Sequence, residues 1–230
     1  MEIRFLYDLP GVLVGRYLVV GDLHIGLEER LGEKGINFPN PHKVIASLIT
    51  KYFSMASASR LILLGDIKES IGYPSKSEYL ELQELFYDLR NLPISIVRGN
   101  HDAHLQEILE RLGYAVEVKK ALILDNLAFL HGNALPNEEA LACSYIFEAH
   151  GHTALLHAGT EEKAFLVAKS AKKEVRAKLV LIPPINPIIA GNPISLSTAR
   201  HIPAFRSGLF DFYNAWVYTK SAKVKVKNVV

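Results

Sequence analysis

The sequence lacks a second cysteine. With Cys143 alone, no internal disulfide can form, and a reducing compartment is the simplest home. A lone thiol in an apolar stretch reads as a small core residue before it reads as a nucleophile. Charge of one sign is also missing. The formal net charge is +2, too little to argue for a nucleic-acid partner, because duplex affinity comes mainly from neutralising phosphates. A local basic patch stays open, with Arg98, Arg200, Arg206 and the Lys169–Lys173 run as its candidates. No apolar run is long enough to span a bilayer. The most apolar late stretch, Leu179 to Ala190, is broken by Pro183, Pro184 and Pro187. Met1-Glu2-Ile3-Arg4 is not followed by an uninterrupted apolar core, so no secretory leader is expected. Repeats, low-complexity tracts and long linkers are absent too. A single cytoplasmic domain covering 1–230, without membrane contact, is the expectation.

What is present is apolar residue. It makes up 49% of 230 residues, enough for a substantial core and against disorder. Its distribution carries a pattern, since short apolar runs end abruptly in Gly, Asp, Asn or His. Tyr17–Val20 precedes Gly21-Asp22, and Leu61–Leu64 precedes Gly65-Asp66. Ile94–Val97 precedes Arg98-Gly99-Asn100-His101-Asp102, and Leu127–Leu130 precedes His131-Gly132. Tyr145–Phe147 comes just before His150. Such runs read as buried strands. Between them, His42 to Ser57 and Ser77 to Arg90 carry apolar residues at helical spacing, with Ser77, Glu78 and Glu81 suiting a helix start. Further strands are expected at Ala164–Val167, Leu179–Ile182 and Phe210–Tyr218, an exposed turn at Lys169–Lys173, and an irregular loop from Pro183 to Ser195. Alternating strands and helices predict an α/β layered fold with ligands beyond the strand ends.

The polar ends hold metal-ligand chemistry. In an extended segment Asp22 and His24 point the same way while Leu23 faces the core. His150 and His152 share that geometry, and paired imidazoles suit a transition metal. Gly151 fits a close approach of backbone to another element. Asp66, after a strongly apolar run, is costly unless paired or metal-bound, and a carboxylate can bridge two cations. A helix cap is its plainer role. Gly99 permits a tight turn, the Asn100 oxygen can coordinate without adding charge, and His101 stands free to handle a proton. A turn and helix start would also use Asn and Asp. Each plain explanation works singly. Together they require five strand ends to carry ligand-type residues by accident.

In this order, Asp22-x-His24, Gly65-Asp66, Gly99-Asn100-His101-Asp102, His131 and His150-x-His152 resemble the calcineurin-like metallophosphoesterase family. Asp22-Leu-His-Ile-Gly-Leu-Glu28, Gly65-Asp-Ile-Lys68 and Leu181-Ile-Pro-Pro-Ile-Asn-Pro187 look closest to archaeal phosphoesterases related to the SbcD nuclease. The resemblance implies a four-layer α-β-β-α sandwich, two packed mixed β-sheets flanked by helices. It also implies two divalent ions, manganese first, with iron, nickel, cobalt or zinc admitted by the same donors. Asp22, His24 and His152 would hold one ion, Asn100, His131 and His150 the other, and Asp66 would bridge them. His101 would donate the proton to the leaving group. Lys68, Glu69, Arg98 and Asp102 would stand behind the ligands or against substrate.

Two departures from the family pattern stand out. Ala149 precedes His150 where glycine is usual; reading the motif from Gly151-His152 instead would lose the last histidine, so the frame that keeps both is taken. Glu69 stands where many members carry the Asp that orients the catalytic histidine, and Lys68 is expected either at the phosphate or in solvent. Ions of this kind stand about 3.5–4 Å apart and lower the pKa of a bridging water to about 7. The resulting hydroxide attacks phosphorus in line. The function expected is hydrolysis of phosphomono- or phosphodiesters, nucleotides or other small esters among them. An SbcD-like DNA endo- or exonuclease and a non-catalytic binding module on the same fold are the alternatives. A homodimer is admitted by family analogy alone.

Overall fold

The computed structural model describes residues 2–228 except Glu33, Asn37, Pro39 and Ala158. The apolar runs become the middles of two sheets. The first sheet has six strands in sequential order: β1 (Ile3–Leu6), β2 (Gly11–Val14), β3 (Tyr17–Val20), β4 (Arg60–Leu64), β5 (Ile94–Val97) and β6 (Val118–Lys119). β1 to β3 are antiparallel and β3 to β6 parallel. Helices α1 (Leu27–Gly32), α2 (Pro41–Met55), α3 (Lys76–Leu89) and α4 (Leu105–Arg111) come from its connections. The second sheet is built from β7 (Leu122–Leu124), β8 (Leu127–Phe129), β9 (Tyr145–Glu148), β12 (Phe165–Lys169), β13 (Lys178–Leu181), β15 (Trp216–Tyr218) and β16 (Lys223–Lys225). Its order is β16-β15-β12-β13-β9-β8-β7, with β8, β9 and β13 parallel. On this side of the molecule lie α5 (Glu138–Ala142), α6 (Leu196–His201) and α7 (Pro203–Arg206).

Strand alternation sorts the core into three layers. Tyr17, Val19, Ile62 and Leu64 face Phe129, Phe147, Phe165 and Val180 between the sheets. Their neighbours Leu18, Val20, Leu61 and Leu63 face outward onto Ile45 and Ile49 of α2, Leu82 and Phe86 of α3, and Ile108 of α4. On the other side, Ile146, Leu166, Leu179 and Leu181 pack against Ala140 of α5, Ala199 of α6 and Phe205 of α7. This is the α-β-β-α sandwich. Both strand faces are covered, which is why these strands read as unbroken apolar runs rather than alternating ones. Cys143 is buried in the outermost of these clusters.

The structure departs from the sequence reading in several elements. The cap of α3 is Ser75, whose side chain accepts from the Glu78 backbone N–H, rather than Ser77. Between Phe210 and Tyr218 only β15 is strand; Phe210 keeps an isolated bridge to Ser170. Lys169 ends β12 instead of opening a turn. A third, three-stranded sheet is formed by β10 (Thr153–His157), β11 (Thr160–Lys163) and β14 (Asn192–Pro193), the last within the segment expected to be irregular. Among the described residues, no helix is long and apolar enough to cross a membrane.

Candidate metal centre

The parallel strands β3, β4 and β5 end side by side, as do β8 and β9 of the facing sheet. Their following residues therefore meet at one edge of the sandwich. Backbone bonds continue past the strands: Asp22 N–H donates to Gly65 O at 3.1 Å and His24 N–H to Asp66 O at 2.8 Å. Across the sheets, His150 N–H donates to the Asp22 carboxylate at 3.1 Å. The segment carrying Asp22 and His24 is not extended. Asp22 (φ 55°), His24 (φ 42°), Asp66 (φ 48°), His150 (φ 59°) and His152 (φ 45°) all take left-handed backbone. That conformation costs a non-glycine residue on the order of 1 kcal/mol, and such strain collects at functional sites. Leu23, between the first two, is buried against the helices as expected.

The side chains converge on Asp66. Its Oδ2 lies 3.2 Å from His131 Nε2 and 3.6 Å from His24 Nε2. Donor atoms of Asp22, His24 and His152 gather within 4.8 Å of one another, and so do those of Asp66, His131 and His150. Asn100 Oδ1 is 3.1 Å from His131 Nε2. His131 gives its Nδ1 proton to the Leu64 carbonyl at 2.7 Å, so a neutral ring turns its Nε2 lone pair toward two oxygens, neither of which can donate. His24 donates from Nδ1 to Glu69 Oε2 at 2.7 Å, and its buried Nε2 has no hydrogen-bond partner. Imidazole lone pairs facing carboxylates form a pocket complementary to cations. The donor set thus fits divalent metal, and histidines held from behind by an oxygen are the usual arrangement around one.

Without an ion, the same carboxylates act on the histidines instead. Burial opposes charge on His131, but the hydrogen bond to Asp66 and the charges of Asp22 and Asp66 outweigh it, and its pKa is pushed up to about 9. Burial also opposes charge on Asp66, yet His131, the His101 N–H and His24 hold it well below the usual carboxylate range. Asp22 is likewise lowered, against its burial, by His152, His131 and His24. His150, desolvated and facing His131, moves downward, toward the neutral form a ligand needs.

His101 stands at the rim. Its N–H donates to Asp66 Oδ1 at 2.9 Å, and its ring lies 4.9 Å from that of His24. The family's aspartate at position 69 orients this ring, and the sequence leaves open whether the longer Glu69 carboxylate does the same. Instead, His101 Nδ1 donates to the Glu69 backbone carbonyl at 2.5 Å, while the Glu69 carboxylate serves His24 and Arg30. Both directions expected for Lys68 are replaced as well. The side chain is buried, and its ammonium donates to the carbonyls of Ser70, Ile71 and Gly72. Asp102 accepts from Ile67 N–H at 2.8 Å and Gly99 N–H at 2.7 Å, tying the β4 and β5 loops together. Ala149 packs against Gly21, where an added Cβ would come within 2.6 Å of the Ala149 Cβ, so this contact requires glycine at position 21. Gly151 is less demanding; a Cβ there would meet only the flexible end of Ile202 at 3.2 Å.

Two supporting residues had no role assigned from sequence, although Asn186 lies in the Leu181–Pro187 stretch. Asn186 is buried and donates to Leu23 O at 2.7 Å. Lys163 donates to Pro184 O at 2.6 Å and Asn186 O at 2.5 Å, and its burial brings its pKa down to about 8. They fasten the segment after β13 behind the Asp22 loop. The only advance signal was the proline-rich spelling of that segment.

Several cavities adjoin the cluster, a small one of about 190 Å³ beside His131 among them. One of about 310 Å³ is lined by His24, Glu69, His101 and His152 on one wall and by Leu27, Leu31, Ile188 and Ile189 on another. A second, about 290 Å³, is lined by Arg98, Asn100, Lys120 and Asn133. A third, about 550 Å³, runs from His150 along Asn192, Ser195 and Thr198. The segments 28–41, 133–137 and 186–197 all contribute to these cavities. In the first, Glu33, Asn37 and Pro39 lie outside the described residues.

Comparison with known proteins adds two findings. Residues 15–184 match the family model described as calcineurin-like phosphoesterase. The fold is similar to the crystal structure of Pseudomonas putida nuclease MPE, with a TM-score of 0.64 and 18% identity, covering 93% of this chain and 90% of that one. No curated protein sequence matches the chain.

Proposed function

The chain belongs to the calcineurin-like phosphoesterase family, and on that premise we propose that it hydrolyses phosphodiesters at a two-metal centre whose halves share Asp66. The observation that carries this reading is the approach of two histidines from opposite half-sites to one oxygen, Asp66 Oδ2. Asp22, His24 and His152 would hold one ion, and Asn100, His131 and His150 the other. When bound, the ions would supply positive charge to the phosphoryl oxygens and acidify a water. Manganese heads the candidates, and iron, nickel, cobalt or zinc suit the same donors.

The protein's own groups do the rest. Asp22 and Asp66 contribute two negative charges among neutral ligands, so the centre keeps a positive balance for an anionic ester. Glu69 and the Leu64 carbonyl set the tautomers of His24 and His131. His101 gives its Nδ1–H to a carbonyl, which leaves Nε2 to carry the proton transferred to the departing oxygen. The cavity it faces has an apolar wall of Leu27, Leu31, Ile188 and Ile189, suited to the leaving group. The separate cavity beside Asn100 presents Arg98 and Lys120. Room for a substituent at each favours diesters over monoesters. A nucleotide-type diester, with a flat base and further phosphates, matches both walls.

A nuclease of the SbcD type is the second reading. Arg98 and Lys120 beside the centre favour it, and the structural neighbour from Pseudomonas putida is a nuclease by its own description. A matrix of divalent ions against aryl monoesters, aryl diesters, cyclic nucleotides and single- and double-stranded DNA separates the readings. Aryl diester turnover that needs metal and disappears in Asp66→Ala is expected. Turnover undiminished in Asp66→Ala overturns the centre. An active esterase that leaves DNA intact removes the nuclease reading. A chain with no turnover of any ester under any ion is a binding module.

A further inference from the structure

A second cluster of metal-type donors shares no residue with the Asp66 centre. Glu28 lies on α1, His42 on α2 and Glu81 on α3, and one donor atom from each falls within 4.8 Å of the other two. His42 is only 3% exposed. Its Nε2 donates to Glu84 Oε2 at 3.1 Å, so in the neutral ring Nδ1 keeps the lone pair. That Nδ1 is shielded from water and has no hydrogen-bond partner among the described residues. Both oxygens of Glu28 and Oε2 of Glu81 are in the same condition. Lys43 pairs with Glu84 Oε2 at 3.1 Å, so its ammonium answers Glu84. Ser77 Oγ reaches only the other oxygen of Glu81, Oε1, at 3.4 Å, so a lone pair and two carboxylates face one another with no donor between them among the described residues. Desolvated acceptors of this kind are costly unless a cation or a proton joins them.

We propose that Glu28, His42 and Glu81 form a third divalent-cation site of zinc type, which pins α1 to α2 and α3. One imidazole nitrogen with two carboxylates is a zinc donor set, leaving a fourth position for water. Glu84 behind His42 completes the carboxylate–histidine–metal arrangement that orients a ligating ring. Donors on one tetrahedral zinc stand about 3.3 Å apart at bonds of about 2.0–2.1 Å, so donors within 4.8 Å of one another close by at most about 1.5 Å when loaded. The placement has a consequence. Leu27 and Leu31 of α1 form the apolar wall of the His101 cavity, so the ion holds one wall of that cavity against the helical layer.

Zinc bound per chain after saturation and gel filtration tests the site in the wild type, Glu81→Gln and His42→Gln. Each variant is expected to hold one ion fewer than the wild type. The same one-ion difference is expected in an Asp66→Ala background, so the result is independent of the catalytic reading. Melting temperature gives a second measure: zinc raises it in Asp66→Ala and raises it less in Asp66→Ala with Glu81→Gln. Equal zinc content in all three proteins, or equal zinc-induced shifts with and without Glu81→Gln, overturns the site and leaves a shared proton between Glu28 and Glu81.

Discussion

At the scale of single residues, two side chains yield sharp expectations. His101 gives its Nδ1–H to the Glu69 carbonyl and contributes only its backbone N–H to Asp66. His101→Ala should therefore keep its metal content while losing rate by about 10²–10⁴-fold, the usual worth of a general acid. The loss should be steepest for esters with poor leaving groups, which need the proton most. Parallel kinetics on activated and unactivated diesters, with metal analysis, check this; loss of metal would make His101 a ligand instead. Glu148, at the end of β9, is fully buried with neither carboxylate oxygen hydrogen-bonded. Burial pushes its pKa from 4.5 up to about 8. Because the folded protein holds this proton more tightly than the unfolded chain, stability falls as pH rises from about 4.5 to 8 and levels off above. The whole penalty is on the order of 5 kcal/mol. Glu148→Gln should remove that fall, so urea unfolding of variant and wild type should diverge between about pH 5 and pH 8.5, with the variant ahead at the higher value.

At the scale of elements, the loop after β5 lies directly on the loop after β4. A Cβ at Gly99 would stand 2.2 Å from both the backbone nitrogen and Oδ1 of Asp66. Neither is the free end of a flexible chain, so Gly99→Ala must displace the Asp66 carboxylate. Misplacement of about 1 Å at a reacting centre costs roughly 100-fold, and turnover and metal retention should fall together. Gly72→Ala is the control, because nothing lies within 4 Å of a Cβ there, and it should behave as wild type in the same assay. The start of α3 matters in a similar way. Capping at Ser75 sends Glu78 inward, where its carboxylate accepts from the backbone N–H groups of Glu69 and Ser70 at 2.9 Å each. A helix cap thereby helps set the peptide whose carbonyl holds His101.

For the whole molecule, the centre sits where the two sheets' strand ends meet, and residues from both sheets complete it. A ligand bound by the folded chain alone stabilises it by about 2.7 kcal/mol at 100 times its dissociation constant. Removing metal with a chelator should thus lower the melting temperature of the wild type. The Asp66→Ala protein should show a smaller chelator response by scanning calorimetry; an equal response would place the stabilising ion elsewhere. Cohesion between the sheets also runs through protein alone, from Lys163 to the carbonyls of Pro184 and Asn186 and from Asn186 to Leu23 O.

Much of the arrangement follows from local spelling. An apolar run of four residues ending in glycine and a ligand-type residue specifies a buried strand and its polar end, because burial on both faces leaves no room for alternation. That pattern singles out Asp22, Asp66, Asn100, His131 and His150 from the sequence alone. Tertiary structure decided what depends on neighbours remote in sequence. The left-handed backbone of Asp22, His24, Asp66, His150 and His152 is held by bonds between loops. The exchange of roles at Glu69, carboxylate to His24 and carbonyl to His101, depends on side-chain reach across 45 and 32 positions. Lys68 could not be placed from sequence, because an ammonium is as readily satisfied by buried carbonyls as by water. The Glu28–His42–Glu81 cluster joins three helices with no common motif, and only their packing brings its donors together.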